Sequence, residues 1–299
     1  MLADSLPQRT GDNLSGVAGV CVVGSVNMDY TFAVRALPRP GETVLASSLA
    51  TAPGGKGANQ AIAAARAGAR VQFVGAVGSD PAGEELLAHL RANDVGLDAM
   101  QRLPGPSGTA VIVVDAHAEN EIVVAPGANG HLTLDWAPAR AVVADCDVLL
   151  LQLEIPVSTA VAAASQARGA GATVVVNASP ATAAPALAEL AALADVVVVN
   201  QAEARQWEWP VEHLVITHGP AGAVYRTADQ EVTFPAPAVE ALDTTGAGDV
   251  FAGVLAAGWL AGPQHALRRA CAAGALATLV PGAGDCAPSD EAIEDAVDL

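Results

Sequence analysis

Basic and aromatic side chains are scarce in this chain of 299 residues. Lys and Arg number 14 against 32 Asp and Glu, for a formal net charge of −18, and aromatic residues make up 3% of the sequence. Such an acidic protein repels polyanions and has few cations to exchange for counterions on nucleic acid or anionic lipid. The composition therefore argues against both partners. Any phosphate site must be built locally from backbone NH groups, a few cations or a metal.

Cysteines and long apolar segments are also few. The four cysteines lie far apart and form no C-x-x-C pair, which predicts reduced thiols in a cytoplasmic protein. The apolar runs are short, so none is predicted to span a membrane. Residues 1–19 lack the basic start and apolar run of a signal peptide and are predicted to be a disordered leader. Residues 20–299 are predicted to form a single domain.

Runs of β-branched apolar residues, each ending in a polar residue, alternate with Ala-rich stretches of helical composition. The runs are 20–27, 148–154, 173–177, 196–200 and 214–217, and the Ala-rich stretches are 58–67, 83–93, 158–167, 185–193, 249–260 and 264–279. This alternation predicts an α/β protein with a mostly parallel sheet covered by helices. Ligands bind at the carboxyl ends of such strands, where the runs place Asn27, Glu154, Asn177, Asn200 and Thr217.

The stretch 243–249, Asp-Thr-Thr-Gly-Ala-Gly-Asp, leads into an apolar helical segment. Gly246 and Gly248 allow a tight turn in which successive NH groups and the helix N-terminus point at one anion. Asp249 would lie beside this phosphate cradle, where a carboxylate can take a proton from an attacking hydroxyl. The alternative is an ordinary glycine turn before an acidic first helical residue. Acids at both ends and two threonines between them favour the functional interpretation.

The stretch 53–60, Pro-Gly-Gly-Lys-Gly-Ala-Asn-Gln, is a second glycine-rich turn before a helix. It is not a P-loop, because Lys56 is followed by Gly57 where Ser or Thr is needed. Its backbone can approach a ligand closely, and Lys56 and Asn59 supply donors suited to sugar hydroxyls. Taken alone, the stretch fits a flexible surface turn equally well.

Two segments, about 30–51 and 108–124, break the alternation of strands and helices. Both have the pattern of hairpin or edge strands that project from the main sheet. We predict that they form a small β-sheet lid over the strand ends, because phosphoryl transfer requires water to be excluded from the acceptor site.

Other candidate residues have strong structural alternatives. Asn27 and Asp29 follow the first predicted strand, but residues of this type are common in turns. Asn200 and Glu203 have the spacing of a helix capping box. Glu154 ends an apolar strand, where its carboxylate either bonds a hydroxyl or faces water.

Five stretches occur in the order seen in the ribokinase family of sugar kinases. They are 24–29 (Gly-Ser-Val-Asn-Met-Asp), 54–60, 152–154 (Gln-Leu-Glu), Asn200 with Glu203, and 243–249. Together they resemble this family over nearly the whole chain from about residue 20 onward. The resemblance implies a ribokinase-like three-layer α/β/α sandwich with a small β-sheet lid, so that residues 20–299 would be one kinase domain.

The resemblance also implies roles for particular residues. Asp249 would be the catalytic base, and the anion hole for the phosphoryl group would be Gly246, Ala247 and Gly248. The sugar would contact Asn27, Asp29, Gly55, Lys56, Asn59, Glu154 and Asp249. The nucleotide would contact Asn200, Thr217, Gly219, Gly222 and Gly248. Mg²⁺ would be organised indirectly by Asn200 and Glu203, and K⁺ would be held by Asp243, Thr245, Gly282 and Cys286.

The expected activity is ATP-dependent phosphorylation of the primary (5-) hydroxyl of a pentose, with D-ribose as the first choice, and a homodimer through the lid is expected. A kinase of another small sugar or of a nucleoside is the alternative. A nucleoside would need aromatic rings near the lid, where only Tyr30 and Phe32 occur. A sugar phosphate would need a cationic cluster, and only Arg35 and Arg39 lie nearby. A catalytically silent sugar-binding homologue is a further alternative, although Asp249 is intact.

One segment departs from the family pattern. Between Glu203 and Val215 the family usually has a longer helical stretch, whereas this chain has a short connection that contains Trp207 and Trp209. The sequence therefore predicts less helical cover on the nucleotide side of the sheet.

Overall fold

A computed structural model of the protein describes residues 17–117 and 119–297, so most of the predicted leader, residues 1–16, lies outside the described residues. The strands within these ranges are β1 (Gly19–Val23), β2 (Asn27–Ala33), β3 (Ser48–Gly54), β4 (Arg70–Val77), β5 (Gly96–Arg102), β6 (Gly108–Val114), β7 (Asn120–Ala125), β8 (Val148–Leu151), β9 (Thr173–Asn177), β10 (Val196–Asn200), β11 (His213–Thr217), β12 (Ala223–Arg226) and β13 (Glu231–Phe234).

The helices lie mainly between these strands, as the Ala-rich stretches predict. They are α1 (Lys56–Arg66), α2 (Pro81–Ala92), α3 (Ala137–Asp145), α4 (Val157–Gly169), α5 (Leu187–Leu193), α6 (Gln201–Ala204), α7 (Ala247–Gly258), α8 (Pro263–Ala277) and α9 (Asp290–Val297). The start of α2 shows local sequence control. Asp80 accepts a hydrogen bond from the Gly83 NH at 3.0 Å, and Pro81 occupies the first turn, both of which favour a helix start.

The main sheet has nine strands in the order β13-β12-β11-β10-β9-β8-β1-β4-β5. Strands β11 to β5 in this order are parallel, and β12 and β13 add antiparallel strands at one edge. The predicted three-layer α/β/α sandwich is confirmed. Its parallel strands place their carboxyl ends at one edge, which is where the candidate residues gather.

The sheet separates two apolar cores. One core lies beneath α1, α2, α7 and α8, and the other lies beneath α3, α4 and α5. Strand β8 shows why its sequence is a continuous apolar run: Leu150 packs in the first core and Leu149 and Leu151 pack in the second, so both faces are buried. Of the helices in the described ranges, none is long and apolar enough to cross a membrane.

The prediction of the first strand, 20–27, is wrong for its second half, 24–27. Strand β1 ends at Val23, and Asn27 is the first residue of β2 in a different sheet. The chain leaves the main sheet at Gly24, where a Cβ would overlap the side chain of Gln152. Similarly, β8 ends at Leu151, so Glu154 lies beyond the strand end. Both strands therefore end earlier than their composition indicates.

The second sheet has four strands in the order β3-β2-β6-β7, and they overlap the segments 30–51 and 108–124. Because side chains alternate along a strand, Asn27 and Asp29 lie on one face of β2 and Met28 and Tyr30 on the other. Met28 is buried in the first core. The opposite face carries Asn27 and Asp29 towards the edge where the parallel strands end.

The connection from α6 to β11 is short, as the sequence predicts. Helix α6 has four residues, and Trp207 and Trp209 pack against the second core. Their rings meet edge to face with centroids 5.1 Å apart, an arrangement that aromatic pairs favour. Two indole rings therefore cover part of the sheet where a longer helix is lacking.

Candidate functional site

A cavity of about 140 Å³ lies at the carboxyl ends of the parallel strands, beside the start of α7. It brings together several predicted site residues from distant parts of the chain: Lys56, Asn200, Glu203, Thr217, Gly246, Gly248 and Asp249. Asn177, the last residue of β9, and Ser179 complete its polar wall. The cavity is therefore lined by groups suited to a charged or hydroxylated ligand.

The turn before α7 has the geometry of an anion-binding helix start. Gly246 has φ of 79°, a left-handed conformation that favours glycine. The helix begins at Ala247, two residues before the predicted start, so Gly248 and Asp249 lie in its first turn. A Cβ at Gly248 would meet no atom within 4 Å, which leaves the backbone open to a ligand. The NH groups of a first turn lack partners within the helix, although that of Ala247 donates to the Thr244 carbonyl at 3.3 Å.

Asp249 is buried and its carboxylate is held by two amides. Asn59 Nδ2 donates to Oδ2 and Gln60 Nε2 donates to Oδ1, both at 3.0 Å. Gln60 Nε2 also donates to Asn177 Oδ1 at 3.0 Å, and Gln60 Oε1 accepts from Gln152 Nε2 at 2.7 Å. All the hydrogen-bonding atoms of Gln60 are thus engaged. This network fixes the direction in which Asp249 presents its charge.

Lys56 is the cation among the acids of the site. The charge of Asp249 raises the pKa of Lys56, burial acts in the opposite direction, and the charges of Glu154 and Glu203 raise it further. Lys56 therefore stays protonated among these carboxylates. Glu154 is held in turn: its Oε2 accepts from Ser25 Oγ at 2.6 Å and from the Lys56 NH at 3.2 Å.

Asn27 and Asp29 reach this site from β2. Asn27 is buried, and its Oδ1 accepts from Asn129 Nδ2 at 2.8 Å. Gly55, with φ of 94°, lies so close that a Cβ would be 2.7 Å from the Asn27 nitrogen. Asp29 Oδ1 is buried and has no hydrogen-bond partner among the described residues. Burial, followed by the charges of Glu154 and Asp249, raises the pKa of Asp29 to about 7.

The structure shows the capping box that the sequence offered as an alternative for Asn200 and Glu203. Asn200 Oδ1 accepts from the Ala202 and Glu203 NH groups, and Glu203 Oε2 accepts from the Asn200 NH at 2.8 Å. Both residues also line the cavity, as does Thr217. Gly219 and Gly222 lie in the connection from β11 to β12, outside the cavity lining, and both have positive φ.

The four residues predicted to hold a monovalent cation lie together. Asp243 Oδ1 accepts from the Thr245 NH at 2.9 Å and Oδ2 accepts from the Gly282 NH at 2.8 Å. Burial raises the pKa of Asp243, but these hydrogen bonds outweigh it and the net shift is downward. The carbonyl oxygens of Thr245 and Ala283 lie 3.9 and 3.4 Å from Cys286 Sγ. Carbonyl and carboxylate oxygens are the ligands that suit a hard cation.

No group of three or more His, Cys, Asp and Glu side chains that could hold a metal ion occurs in residues 17–117 and 119–297.

Residues 17–290 match the family described as pfkB family carbohydrate kinase. The chain belongs to this family of carbohydrate kinases. The fold, the family and the enzyme class predicted from the sequence motifs are confirmed.

Individual family members show how close the similarity is. The ribokinase of Bacillus subtilis is 38% identical over 291 residues, which cover 92% of this chain and 98% of that protein. The deoxyribokinase of Salmonella typhimurium is 30% identical, over 79% of this chain and 84% of its own length. The structure of Arabidopsis thaliana ribokinase complexed with ribose and ATP superposes with a TM-score of 0.86 at 28% identity and covers 95% of this chain and 99% of that one.

Several residues of the carbohydrate kinase site were not assigned a role from the sequence. Gln60 and Gln152 fall inside the stretches that resemble the family, so their position could have indicated a role in the site. Asn177 ends a predicted strand, at the edge where ligands bind. Ser25, which bonds Glu154, also falls inside the family stretch 24–29, whereas nothing in the local sequence distinguishes Asn129, which bonds Asn27, from an ordinary polar residue.

Proposed function

We propose that this carbohydrate kinase transfers the γ-phosphoryl group of ATP to the primary 5-hydroxyl of D-ribose. The observation that carries the proposal is the position of Asp249: a buried carboxylate, held by Asn59 and Gln60, in the first turn of a helix whose glycine turn opens into the cavity. A carboxylate placed there can accept the proton of an attacking hydroxyl as the hydroxyl bonds to phosphorus. The similarity to ribokinases, including one complexed with ribose and ATP, supports the choice of sugar.

The sugar would be bound by groups that have spare hydrogen-bonding capacity. Asp29 Oδ1 and Asn59 Oδ1 are buried without partners in the described residues, and the Lys56 ammonium is surrounded by carboxylates. The oxygens of Asp29 and Asn59 supply two acceptors and Lys56 supplies a donor. Together they suit adjacent ring hydroxyls of a sugar, each of which can donate and accept. Asn27, Gly55 and Glu154 would complete this sugar site.

The phosphates would lie between Lys56 and the start of α7. Gly246, Ala247 and Gly248 would form the anion hole for charge that develops on the transferred phosphoryl group. Asn200 and Glu203 would organise Mg²⁺ indirectly, because both line the same cavity as Lys56. Mg²⁺, when bound with ATP, supplies charge neutralisation on the phosphates. Thr217, Gly219 and Gly222 would line the rest of the nucleotide.

We also propose a K⁺ site at Asp243, Thr245, Gly282 and Cys286, which would fix the backbone beside the anion hole. The second sheet would act as a lid, since its β2 carries Asn27 and Asp29 into the site. The face opposite Asp29 buries Met28 but exposes Leu49, Val111 and Val123, and this exposed part would pair two copies of the chain into a homodimer.

The test is ADP release by the purified protein with ATP and Mg²⁺ across ribose, 2-deoxyribose, fructose, adenosine and fructose 6-phosphate. Ribose should have the highest kcat/KM, because a missing hydroxyl leaves a buried group unpaired at a cost of about 1 to 3 kcal/mol, or roughly tenfold to a hundredfold. The highest efficiency with adenosine, a sugar phosphate or 2-deoxyribose would refute the ribose assignment while leaving a carbohydrate kinase. Saturable sugar binding without ADP release would instead indicate a silent homologue.

A further inference from the structure

Arg66, the last residue of α1, is bonded to the loop 282–287. Its Nη1 donates to the carbonyl oxygens of Asp285 and Ala287 at 2.9 and 2.8 Å, and its Nη2 lies 3.4 Å from Asp285 Oδ1. Nε and Nη2 both donate to Asn93 Oδ1, at 3.0 and 2.7 Å. Asn93 therefore orients the guanidinium of Arg66, and Nη1 of the same guanidinium binds two carbonyl oxygens of the loop. A planar fork of donors makes this arrangement possible, and a lysine ammonium cannot reproduce it.

Apart from the bonds of Arg66, few hydrogen bonds hold the loop 282–287 in place. Across the described part of the chain, no backbone NH or carbonyl of these residues bonds to another backbone group. Its other hydrogen bonds are the one from the Gly282 NH to Asp243 and those of Cys286 Sγ, and at its end Cys286 and Ala287 are buried in the first core. Because backbone groups in a loop need partners to hold one conformation, Arg66 supplies a large part of what positions this loop.

The loop touches both halves of the proposed site. A Cβ at Gly246 would lie 2.8 Å from Ala283 Cα, so the loop packs directly on the anion-hole turn. On its other side, a Cβ at Gly284 would overlap the Pro53 carbonyl oxygen, at the point where β3 leads to Gly55 and Lys56. A shift of the loop would therefore move the anion-hole turn.

We propose that Arg66 is a positioning residue for phosphoryl transfer. It holds the loop 282–287 against Gly246 and so keeps the turn 243–249 in the conformation that binds the transferred phosphoryl group. Arg66 does not itself line the cavity, and its effect passes through the loop. Donors that stabilise developing charge must be in place before reaction, within about 0.5 Å of the productive geometry. The inference rests on the proposed function for the acceptor sugar and for the anion-hole role of the turn 243–249.

The first experiment compares Arg66→Met, Arg66→Lys and the control Arg168→Met. Arg168, at the end of α4, also donates to a carbonyl, that of Leu193, and to a carboxylate, that of Asp195. Arg66→Met should lower kcat by about tenfold to a hundredfold, less than deletion of an anion-hole donor itself, with Arg66→Lys in between. The Kd of the sugar, measured by calorimetry, should change by less than about threefold, because the contact acts on the transition state. Arg168→Met should keep kcat within about twofold.

The second experiment measures hydrogen exchange in Arg66→Lys, which keeps the charge and most of the packing. Exchange should rise in 282–287 and also in 244–249 relative to the parent protein. Unchanged exchange in 244–249, or a kcat equal to that of the parent, would overturn the proposal. If the parent protein phosphorylates none of the sugars, the proposed function fails, and the exchange comparison still decides whether Arg66 holds the turn 243–249 through the loop.

Discussion

At the scale of single residues, Asp249 is the group whose chemistry is most constrained. Both of its oxygens accept amide hydrogens, from Asn59 and Gln60. Asp249→Asn is expected to fold normally, because Asn59 Oδ1 has no partner among the described residues and the Asn59 amide can rotate to accept from the new amide. Turnover should fall by about 10²-fold to 10⁴-fold. Steady-state kinetics and calorimetry should show this loss with the sugar Kd roughly intact, and near-normal turnover would exclude Asp249 as the base.

Asp29 should make the stability of the ligand-free protein depend on pH. Its pKa rises from 3.8 to about 7 through burial and the charges of Glu154 and Asp249. Because the pKa is higher in the folded state, ionisation of Asp29 lowers the free energy of unfolding. This loss of stability is absent below pH 3.8, grows as the pH rises, and is complete above about pH 7. Lys56, which faces the same acids, stays protonated throughout this range.

The variant Asp29→Asn removes this penalty. Relative to the parent protein, it should gain more stability at about pH 8 than at about pH 4, as urea unfolding at the two pH values would show. Glu42→Gln, an exposed carboxylate in the connection from β2 to β3, is the control and should show no such difference. An equal effect of Asp29→Asn at both pH values would contradict the assigned pKa.

At the scale of elements, the turn 243–249 and the loop 282–287 form one unit joined by Asp243. Asp243→Ala removes acceptors for the Thr245 and Gly282 NH groups, so both segments should lose order. Activity should fall and the response to potassium should weaken together, because the proposed cation would bind this same unit. The measurement is the rate in KCl against a bulky organic chloride at equal ionic strength. Asp229→Ala, in an exposed turn, is the control.

A parent protein with equal rates in the two salts would rule out potassium activation. A variant that loses activity but keeps the full potassium response would place the cation elsewhere. The downward shift of the Asp243 pKa keeps this carboxylate ionised at neutral pH, so protonation does not complicate the comparison.

At the scale of the whole molecule, the second sheet has two faces with different expected roles. The register aligns Tyr30, Val111 and Val123 on the face opposite Asp29, and Val123 is 69% exposed. Val123→Lys should therefore separate the proposed dimer, because an unpaired charge at an apolar interface opposes association. Ile122→Lys places the same charge on the other face of β7 and should leave the dimer intact. Sedimentation at matched concentrations distinguishes them, and a monomeric parent protein would refute the dimer.

Local sequence predicted those elements whose cause is local. Strands β9 and β10 occupy the predicted ranges, because runs of valine ending in asparagine suit strands that are buried on both faces. The strand from β1 to Asn27 was predicted wrongly, since its break at Gly24 results from contact with Gln152, far away in the chain. Similarly, the first turn of α7 begins earlier than composition indicates, because Gly246 adopts a left-handed conformation.

The sequence by itself determined the fold class, the family and the identity of the candidate base, because these depend on periodicity and on short stretches that can be read without coordinates. Only the tertiary structure decided how Asp249 is held, through amides 189 and 190 positions away, and which loop Arg66 supports. It also decided the raised pKa of Asp29, which depends first on burial and then on the charges of Glu154 and Asp249. Hydrogen bonds and charge interactions between distant residues leave no periodic pattern in the chain, so folding must bring them together before they can be recognised.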